Sequence, residues 1–344
     1  MSGATSGAPG RRTALAAALA LLPLACAPVA PPAAAPAPAE LLLPMAPPPA
    51  LAALVGVYAA GADTIVVLED EGRLLAIGPD SARRPLAPRD DGGVAGALGG
   101  DALRLRPAAP PVAELAGRPL ERVAPTAAGG GFRIVPQRPV EELRREARLA
   151  TPPPQPDSLL APDLVELVAL DPTIRLDVRY ATADNFMGAP FYDAPRAFLQ
   201  RPAAEALVRV HRRLRALGYG LLVHDAYRPW HVTKMFWEAT PPALRDFVAD
   251  PATGSRHNRG AAVDLTLYEL ATGRAVEMPS GYDEFTRRAH AEFPGGTARQ
   301  RALRALLRRA MAAEGFAVYA PEWWHFDHAN WRRYPVLDHP LGAR

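Results

Sequence analysis

The sequence contains a single cysteine, Cys26, among 344 residues. One cysteine excludes an intramolecular disulfide, and it also excludes a zinc site built from several thiolates. Lysine is almost absent, because Lys234 is the only one and arginines supply the other basic residues. These arginines are scattered along the chain rather than clustered, so the formal net charge of +3 does not indicate a nucleic-acid partner.

Histidine and tryptophan are missing from the first part of the chain, where the earliest are His211 and Trp230. The side chains best suited to metal binding and recognition are therefore concentrated in the last third. The apolar run Thr13–Leu22 is too short for a membrane-spanning helix of about 20 residues. An integral membrane span is not expected there.

The amino terminus has the pattern of an export signal. Arg11 and Arg12 precede the apolar run, which leads to Leu22-Pro-Leu-Ala-Cys26. We predict a signal peptide of lipoprotein type over residues 1–26, with a lipidated Cys26 that attaches the protein to a membrane of the periplasm or cell envelope. The alternative is ordinary signal-peptide cleavage, in which Cys26 has no role.

Hydrophobic residues make up 49% of the chain and charged residues 22%, which is typical of a folded protein. The 39 prolines are about twice the ordinary share, so part of the chain is expected to lie outside a packed core. Residues 27–50 are nearly all alanine and proline and predict a tether. A helix and a proline-rich linker are predicted over residues 138–157.

Between these segments, residues 51–137 consist of short alternating apolar runs divided by Gly, Asp and Pro turns. This pattern predicts a small all-β domain, with Glu71-Gly72 at one hairpin tip. The segment lacks histidine and tryptophan, so we assign it an accessory role.

Residues 158–344 mix strand and helix patterns. Apolar residues recur at helical spacing from Pro202 to Gly218 and again before Gly315, and Pro229 can start another helix. Strands are predicted over LVELVAL (164–170), IRLDVRY (174–180), Tyr219–His224 and Ala261–Leu267. Strands and helices do not alternate strictly, so the predicted class is α+β, with a mostly antiparallel central sheet flanked by helices.

Two motifs in this region carry metal chemistry. Ser255-Arg-His257-Asn-Arg-Gly260-Ala-Ala-Val-Asp264 and Glu322-Trp-Trp-His325 together supply two imidazoles and one carboxylate. Three such ligands leave a fourth position of a tetrahedral Zn²⁺ open for water, as in catalytic sites. We therefore predict one zinc ion per chain, held by His257, Asp264 and His325.

Glu322 precedes the last of these ligands by three residues and is expected to lie nearby without binding the metal. A carboxylate in that position can take a proton from water and return it to a leaving amine. This predicts a hydrolase with Glu322 as general base.

Four segments in order resemble the VanX-type D-alanyl-D-alanine dipeptidases, zinc peptidases related to bacterial D,D-carboxypeptidases. They are Asp177–Gly188, Asp225–Pro229, Ser255–Leu267 and Glu322–Phe326, and the resemblance spans about residues 160 to 335. It implies hydrolysis of D-Ala-D-Ala, a small-molecule substrate, and the same zinc ligands and base. Turnover of wall peptides, nutrient use and glycopeptide resistance demand the same active site, so the physiological purpose stays open among these three.

The resemblance also implies roles for four further residues. Arg228 would stabilise the tetrahedral intermediate, Asp283 would hold the substrate ammonium, and Tyr180 and Ser255 would contact the substrate. A permanently charged guanidinium suits oxyanion stabilisation. Its structural alternative is a salt bridge to a carboxylate such as Asp225.

Two other functions stay open at this point. One is a D,D- or L,D-carboxypeptidase acting on peptidoglycan stem peptides, and the other is a non-catalytic, zinc-holding lipoprotein that binds peptidoglycan. The sequence does not determine the oligomeric state.

Overall fold

The computed structural model describes residue 3 and residues 42–61, 63–123 and 132–343. The predicted signal peptide, Cys26 and most of the predicted tether lie outside these residues. Among the described residues, no helix is both long and apolar enough to cross a membrane.

Residues 49–123 form a short helix and a closed β-barrel. Helix α1 (Pro49–Leu54) begins inside the segment predicted to be a tether. The eight strands are β1 (Gly56–Ala60), β2 (Asp63–Asp70), β3 (Arg73–Ile77), β4 (Arg83–Pro88), β5 (Val94–Leu98), β6 (Asp101–Arg106), β7 (Val112–Leu115) and β8 (Arg118–Val123). Each pairs antiparallel with the next, and β1 pairs with β8 to close the barrel.

Local sequence explains these strands. In β6, Leu103 and Leu105 point into the barrel core while their neighbours are exposed, which is the alternation of a sheet with one buried face. Glu71 and Gly72 both have positive φ, 50° and 79°, as a two-residue hairpin turn requires. The alternation does not itself predict closure. Residues 39–344 also cluster as one unit, so a domain boundary near residue 137 stays a prediction.

Helix α2 (Val140–Leu149) follows the barrel and packs against α5 (Trp230–Ala239). Strand β9 (Leu164–Glu166) pairs with β11 (Phe198–Gln200) in a two-stranded sheet. The short helix α3 (Leu167–Leu170) lies between them in the chain.

The central sheet has five strands: β10 (Arg175–Leu176), β12 (Tyr219–Asp225), β13 (Ala262–Glu269), β14 (Phe316–Tyr319) and β15 (Glu322–His328). Their order is β10-β12-β13-β15-β14, and only the β10–β12 pair is parallel. The sheet is flanked by α4 (Arg201–Arg215), α5 (Trp230–Ala239) and α6 (Ala298–Ala312). The predicted mixed α and β class with antiparallel sheets is confirmed.

Helix boundaries follow ordinary start and stop signals. Pro202 lies in the first turn of α4, and Gly218 and Gly315 adopt φ of 86° and 84° just after α4 and α6. Thr297 and Gln300 form a reciprocal capping box at the start of α6. The part of the chain that the structure describes also contains six 3₁₀ helices: Arg179–Ala181, Pro242–Phe247, His257–Arg259, Arg287–Ala289, Trp331–Arg333 and Leu341–Ala343.

Two predicted strands are wrong in extent. LVELVAL is a strand only over Leu164–Glu166 and then turns into α3, because a short apolar run fits a buried helix as well as a strand. IRLDVRY is a strand only over Arg175–Leu176, at the edge of the sheet, before the chain turns into the 3₁₀ helix Arg179–Ala181.

Candidate active site

The central sheet brings the three predicted metal ligands together. Asp264 on β13 lies directly opposite His325 on β15 in the strand register. His257 comes from the 3₁₀ helix that precedes β13, and Gly260 ends that helix with φ of 64°. A Cβ at Gly260 would lie 2.4 Å from Leu164 Cδ2, so both backbone angle and space require glycine there.

The three ligand atoms form a small triangle. His257 Nε2 lies 3.0 Å from His325 Nδ1 and 3.3 Å from Asp264 Oδ1, and His325 Nδ1 lies 3.0 Å from the same oxygen. All three side chains are buried. Tetrahedral zinc with bonds of about 2.0–2.2 Å spaces its ligand atoms roughly 3.3–3.5 Å apart, close to the observed distances.

Hydrogen bonds on the outer side of each imidazole determine which nitrogen faces the triangle with a lone pair. The backbone oxygen of Ala226 lies 2.6 Å from His257 Nδ1, and Asp327 Oδ1 lies 3.0 Å from His325 Nε2. Each outer N–H can donate to these acceptors, which leaves the inner nitrogen as an acceptor.

The carboxylate completes the set of acceptors. Asp264 Oδ2 accepts a hydrogen bond of 3.1 Å from the Tyr282 hydroxyl, while the buried Oδ1 has no hydrogen-bond partner among the described residues. Three acceptors that face one another without a donor repel unless a cation lies between them. The donor set of two imidazoles and a carboxylate therefore fits Zn²⁺.

The electrostatics of the triangle also favour positive charge. Burial disfavours the imidazolium of His325, but the neighbouring carboxylates of Asp264 and Asp327 outweigh it and raise its pKa to about 10. Burial likewise opposes ionisation of Asp264, yet the two histidines hold its pKa well below the usual range.

Glu322 stands at the start of β15, next to the triangle. Its Oε2 lies 3.8 Å from His325 Nδ1, and its side chain is 12% exposed. Burial raises the pKa of Glu322 to about 7, with a contribution from the charge of Asp264 and despite the opposing attraction of His325. A carboxyl group with that pKa can both accept and return a proton near neutral pH.

Arg228 follows β12 and is held in place from several sides. Its Nε and Nη2 donate to Asp225 Oδ2 at 2.9 and 2.8 Å, so the salt bridge weighed as a structural alternative is present. The guanidinium also stacks on Tyr180 and Phe236, at 5.2 and 5.0 Å from the ring centroids. The same buried group lines the cavity beside the predicted metal ligands.

Asp283 and Tyr180 form a buried pair in the same cavity. The Tyr180 hydroxyl donates to Asp283 Oδ2 at 2.9 Å, and Asp283 adopts φ of 57°, a left-handed conformation that is unusual for a non-glycine residue. Burial and the charge of Asp264 raise the pKa of Asp283 well above its usual range. Ser255 Oγ accepts a hydrogen bond from the His257 backbone N–H, which also gives Ser255 a structural role.

All eight predicted site residues line one cavity of about 490 Å³. They are Tyr180, Arg228, Ser255, His257, Asp264, Asp283, Glu322 and His325. Phenylalanines form an apolar wall, and Tyr319 and Trp331 also line the cavity.

Sequence reasoning missed three residues that support this site. Asp327 fixes His325, Tyr282 fixes Asp264, and Asn258 donates to the backbone oxygen of Arg228 at 2.8 Å. Asp327 could have been found, because residues two apart on a strand share a face. Tyr282 and Asn258 depend on long-range contacts and carry no comparable local signal.

Other histidines lie outside the triangle. His224 is buried and stacks on the Tyr282 ring at 4.6 Å, and His231 Nδ1 lies 2.6 Å from Asp338 Oδ1. His328 contacts Asn330.

Comparison with known proteins gives a consistent result. A protein of Escherichia coli K12 named D-alanyl-D-alanine dipeptidase is 35% identical to this chain over 175 residues. The match covers 51% of this chain and 89% of that protein. Proteins with the same name in Streptomyces coelicolor and Enterococcus faecium are 39% and 36% identical over 174 residues, covering 44% of this chain and 85% of each.

A family model described as D-ala-D-ala dipeptidase, from the M15 peptidases, matches residues 161–338. This match contains the triangle of His257, Asp264 and His325, together with Glu322 and the other residues that line the cavity. The chain belongs to the D-ala-D-ala dipeptidase family of M15 metallopeptidases.

Proposed function

We propose that this protein is a zinc-dependent dipeptidase that hydrolyses D-Ala-D-Ala to two molecules of D-alanine. The single observation that carries the proposal is the triangle of three buried acceptor atoms with Glu322 Oε2 3.8 Å from one of them. The names of the family and of the related proteins support the choice of substrate.

His257, Asp264 and His325 would hold one zinc ion per chain. When bound, zinc supplies Lewis-acid polarisation of the scissile carbonyl and makes a nearby water more acidic. Ala226 and Asp327 fix the two imidazoles in the tautomers that metal binding needs.

Glu322 acts as the general base. With a pKa of about 7, it is partly ionised at neutral pH and can take a proton from the attacking water. It then returns that proton to the nitrogen of the leaving D-alanine, so that the peptide bond breaks without releasing a strong base.

Arg228 stabilises the oxyanion that forms on the substrate carbonyl. Its guanidinium stays charged and has more donors than its bonds to Asp225 use, and those bonds fix its orientation before the substrate arrives. The salt bridge and the catalytic role are therefore compatible.

Asp283 binds the ammonium group of the dipeptide. A cation beside Asp283 offsets both the burial and the repulsion from Asp264 that disfavour its charge. Tyr180 orients the carboxylate through its hydroxyl. This buried acid favours a dipeptidase over a carboxypeptidase, because the penultimate residue of a stem peptide has no free amine.

Hydrolysis rates for four compounds test this assignment: D-Ala-D-Ala, its N-acetyl form, its des-amino analogue N-propionyl-D-alanine, and a longer stem peptide. Acetylation removes a charge-assisted hydrogen bond and leaves Asp283 facing a neutral amide, a penalty of roughly 1.5–3 kcal/mol. We expect kcat/KM to fall about 10- to 150-fold.

In the same experiment, Asp283→Ala should harm hydrolysis of D-Ala-D-Ala far more than of the acetylated form. Equal hydrolysis of the acetylated dipeptide or stem peptide would replace the dipeptidase with the carboxypeptidase. A zinc-loaded protein that cleaves none of the compounds would instead favour the non-catalytic peptidoglycan-binding lipoprotein.

We further propose that the protein is exported and anchored to the cell envelope by lipidated Cys26, with residues 27–50 as a tether. Mass spectrometry of the mature amino terminus, compared with a Cys26→Ala variant, tests this. An unmodified terminus beyond Cys26 would support ordinary signal cleavage.

A further inference from the structure

We call residues 158–344 the catalytic region. The barrel meets this region where β2 reaches the start of α6. Leu68 forms an isolated parallel bridge with Gly296, and the Glu69 N–H donates to the Gly296 oxygen at 3.2 Å. Arg301 on α6 strengthens the junction, because its two terminal nitrogens donate to Asp70 Oδ1 at 2.6 Å and to the Gly296 oxygen at 2.8 Å.

Glu69 is the centre of this junction. Its side chain is 1% exposed, Oε2 accepts the backbone N–H of Ala298 at 2.9 Å, and Oε1 accepts that of Gly72 at 2.7 Å. Ala298 is the first residue of α6, where backbone N–H groups lack helical partners and a negative charge is favourable. The Glu69 carboxylate therefore joins the tip of the β2–β3 hairpin to the start of α6.

The segment that precedes this junction, residues 279–296, carries Asp283, and we call it the recognition segment. Apart from the 3₁₀ helix Arg287–Ala289 it has no helix or strand. Its two ends touch, since a Cβ at Gly296 would lie only 3.3 Å from the Cβ of Pro279. Gly296 therefore lies beside Pro279, four residues before Asp283.

Contacts on other sides hold the recognition segment against the active site. The indole N–H of Trp323, which follows Glu322 in the chain, donates to Ser280 Oγ at 2.8 Å. Phe132, in the segment that follows the barrel, packs on Phe285 with ring centroids 5.1 Å apart. The residues before the catalytic region thus contact the recognition segment at both Phe285 and Gly296.

We propose that Glu69 is a positioning residue for amine recognition, through which the barrel sets the place of Asp283 in the cavity. This rests on the proposed role of Asp283 in binding the substrate ammonium. The barrel is an addition to the shared catalytic region: the match to the E. coli protein covers 89% of that protein and leaves too little of it to form eight strands.

The test is the ratio of kcat/KM for D-Ala-D-Ala to that for N-propionyl-D-alanine, measured on the full zinc-loaded chain. The two compounds differ only in the amine, so a smaller folded fraction lowers both rates equally and leaves the ratio unchanged. Glu69→Gln keeps the size of the side chain but leaves one acceptor oxygen for two N–H donors. Glu71→Gln, two residues away at the exposed hairpin tip, is the matched control.

We expect Glu69→Gln to lower the ratio about tenfold, mainly through a higher KM for D-Ala-D-Ala, since a 1 Å misplacement can cost about 100-fold. Glu71→Gln should keep the wild-type ratio. Arg301→Gln, which removes the bond to Gly296 from the other side, should lower the ratio by a smaller factor, and it carries the test if Glu69→Gln does not fold.

A wild-type ratio retained in both Glu69→Gln and Arg301→Gln would overturn the proposal. If the wild type itself shows no preference for the free amine, the proposed function fails, and amide hydrogen exchange then decides the positioning role. Faster exchange over residues 279–296 in Glu69→Gln than in Glu71→Gln supports positioning by the barrel, and equal exchange overturns it.

Discussion

The barrel and the catalytic region use buried polar side chains very differently. Tyrosines and tryptophans aside, Glu69 is the one buried polar or charged side chain among barrel residues 56–59, 61 and 64–123, whose burial the structure describes. Eighteen such side chains are buried between Asn185 and His325. Burying a polar group costs free energy unless it finds a partner, so its presence needs a reason. Six of the eighteen line the cavity, namely Arg228, Ser255, His257, Asp264, Asp283 and His325. In the barrel the reason is the junction with α6.

The ion pairs of the two regions differ in the same way. Barrel pairs such as Arg84 with Asp80 and Arg89 with Asp91 are exposed, and pairs of that kind contribute little to stability. Arg228 and Asp225 form a buried pair beside the metal ligands. Substitutions in these barrel pairs should therefore change little, and barrel substitutions away from the Glu69 junction should act through stability alone. Substitutions near the cavity should change chemistry.

The largest effect is expected from loss of a metal ligand. His257→Ala should abolish both zinc binding and hydrolysis, because two acceptors do not complete the site. Metal analysis of the purified protein should find about one zinc per chain in the wild type and in His328→Ala, a control on the same strand as His325. Stoichiometric zinc in variants of all three ligands would contradict the assignment.

Glu322→Gln should separate chemistry from metal binding. The substitution removes the proton acceptor but no ligand, so we expect zinc to be retained and kcat to fall at least ~10²-fold. Zinc content and kcat are measured on the same sample. Loss of zinc together with activity would make Glu322 a ligand or a structural support instead.

A paired core substitution tests the contrast between the regions directly. Leu105 in the barrel core and Leu265 on β13 are both fully buried, so each change to alanine should cost about 2–5 kcal/mol of unfolding free energy. Only Leu265→Ala should also lower kcat, by about tenfold, because Asp264 precedes it on the same strand. Urea unfolding and kcat of the folded protein provide the two measurements.

If Leu105→Ala lowers kcat of the folded protein as much as Leu265→Ala does, the division between a barrel that confers stability and a sheet that carries chemistry is wrong. The effect of the barrel on the active site would then come from the whole barrel core and not only from the junction at Glu69.

The sequence predicts some features well because they depend on local chemistry. The helix predicted within residues 138–157 is α2, over Val140–Leu149. The motifs that contain His257, Asp264 and His325 predict side chains that meet in space. Each follows from apolar periodicity or from a motif on a turn and strand.

Other features escape sequence reasoning because they depend on partners far away in the chain. Closure of the barrel requires β1 to pair with β8, and neither strand carries a signal for the other. The length of β10 is limited by its short pairing with β12. Glu69 resembles an ordinary strand carboxylate until the N-terminus of α6 is placed beside it.

The smallest expected effect is a pH dependence of the free energy of unfolding. It also distinguishes the two regions, because all eight histidines lie at or beyond His211 and therefore outside the barrel. His211 is fully buried; its Nδ1 accepts the Leu221 N–H at 3.1 Å, and its Nε2 lies 3.0 Å from Thr173 Oγ1. Burial, partly offset by Asp171, lowers the pKa of His211 below its ordinary value of 6.5.

Because the folded state holds this proton less tightly than the unfolded state, His211 makes the free energy of unfolding fall as the pH drops below about 6.5 and recover as it rises. The slope from this one group is at most about 1.4 kcal/mol per pH unit. Urea unfolding at pH 7, 6 and 5 should show a shallower decline in His211→Gln than in the wild type. An identical decline would mean that His211 keeps the same proton affinity on folding, and the acid sensitivity would then have to come from other groups.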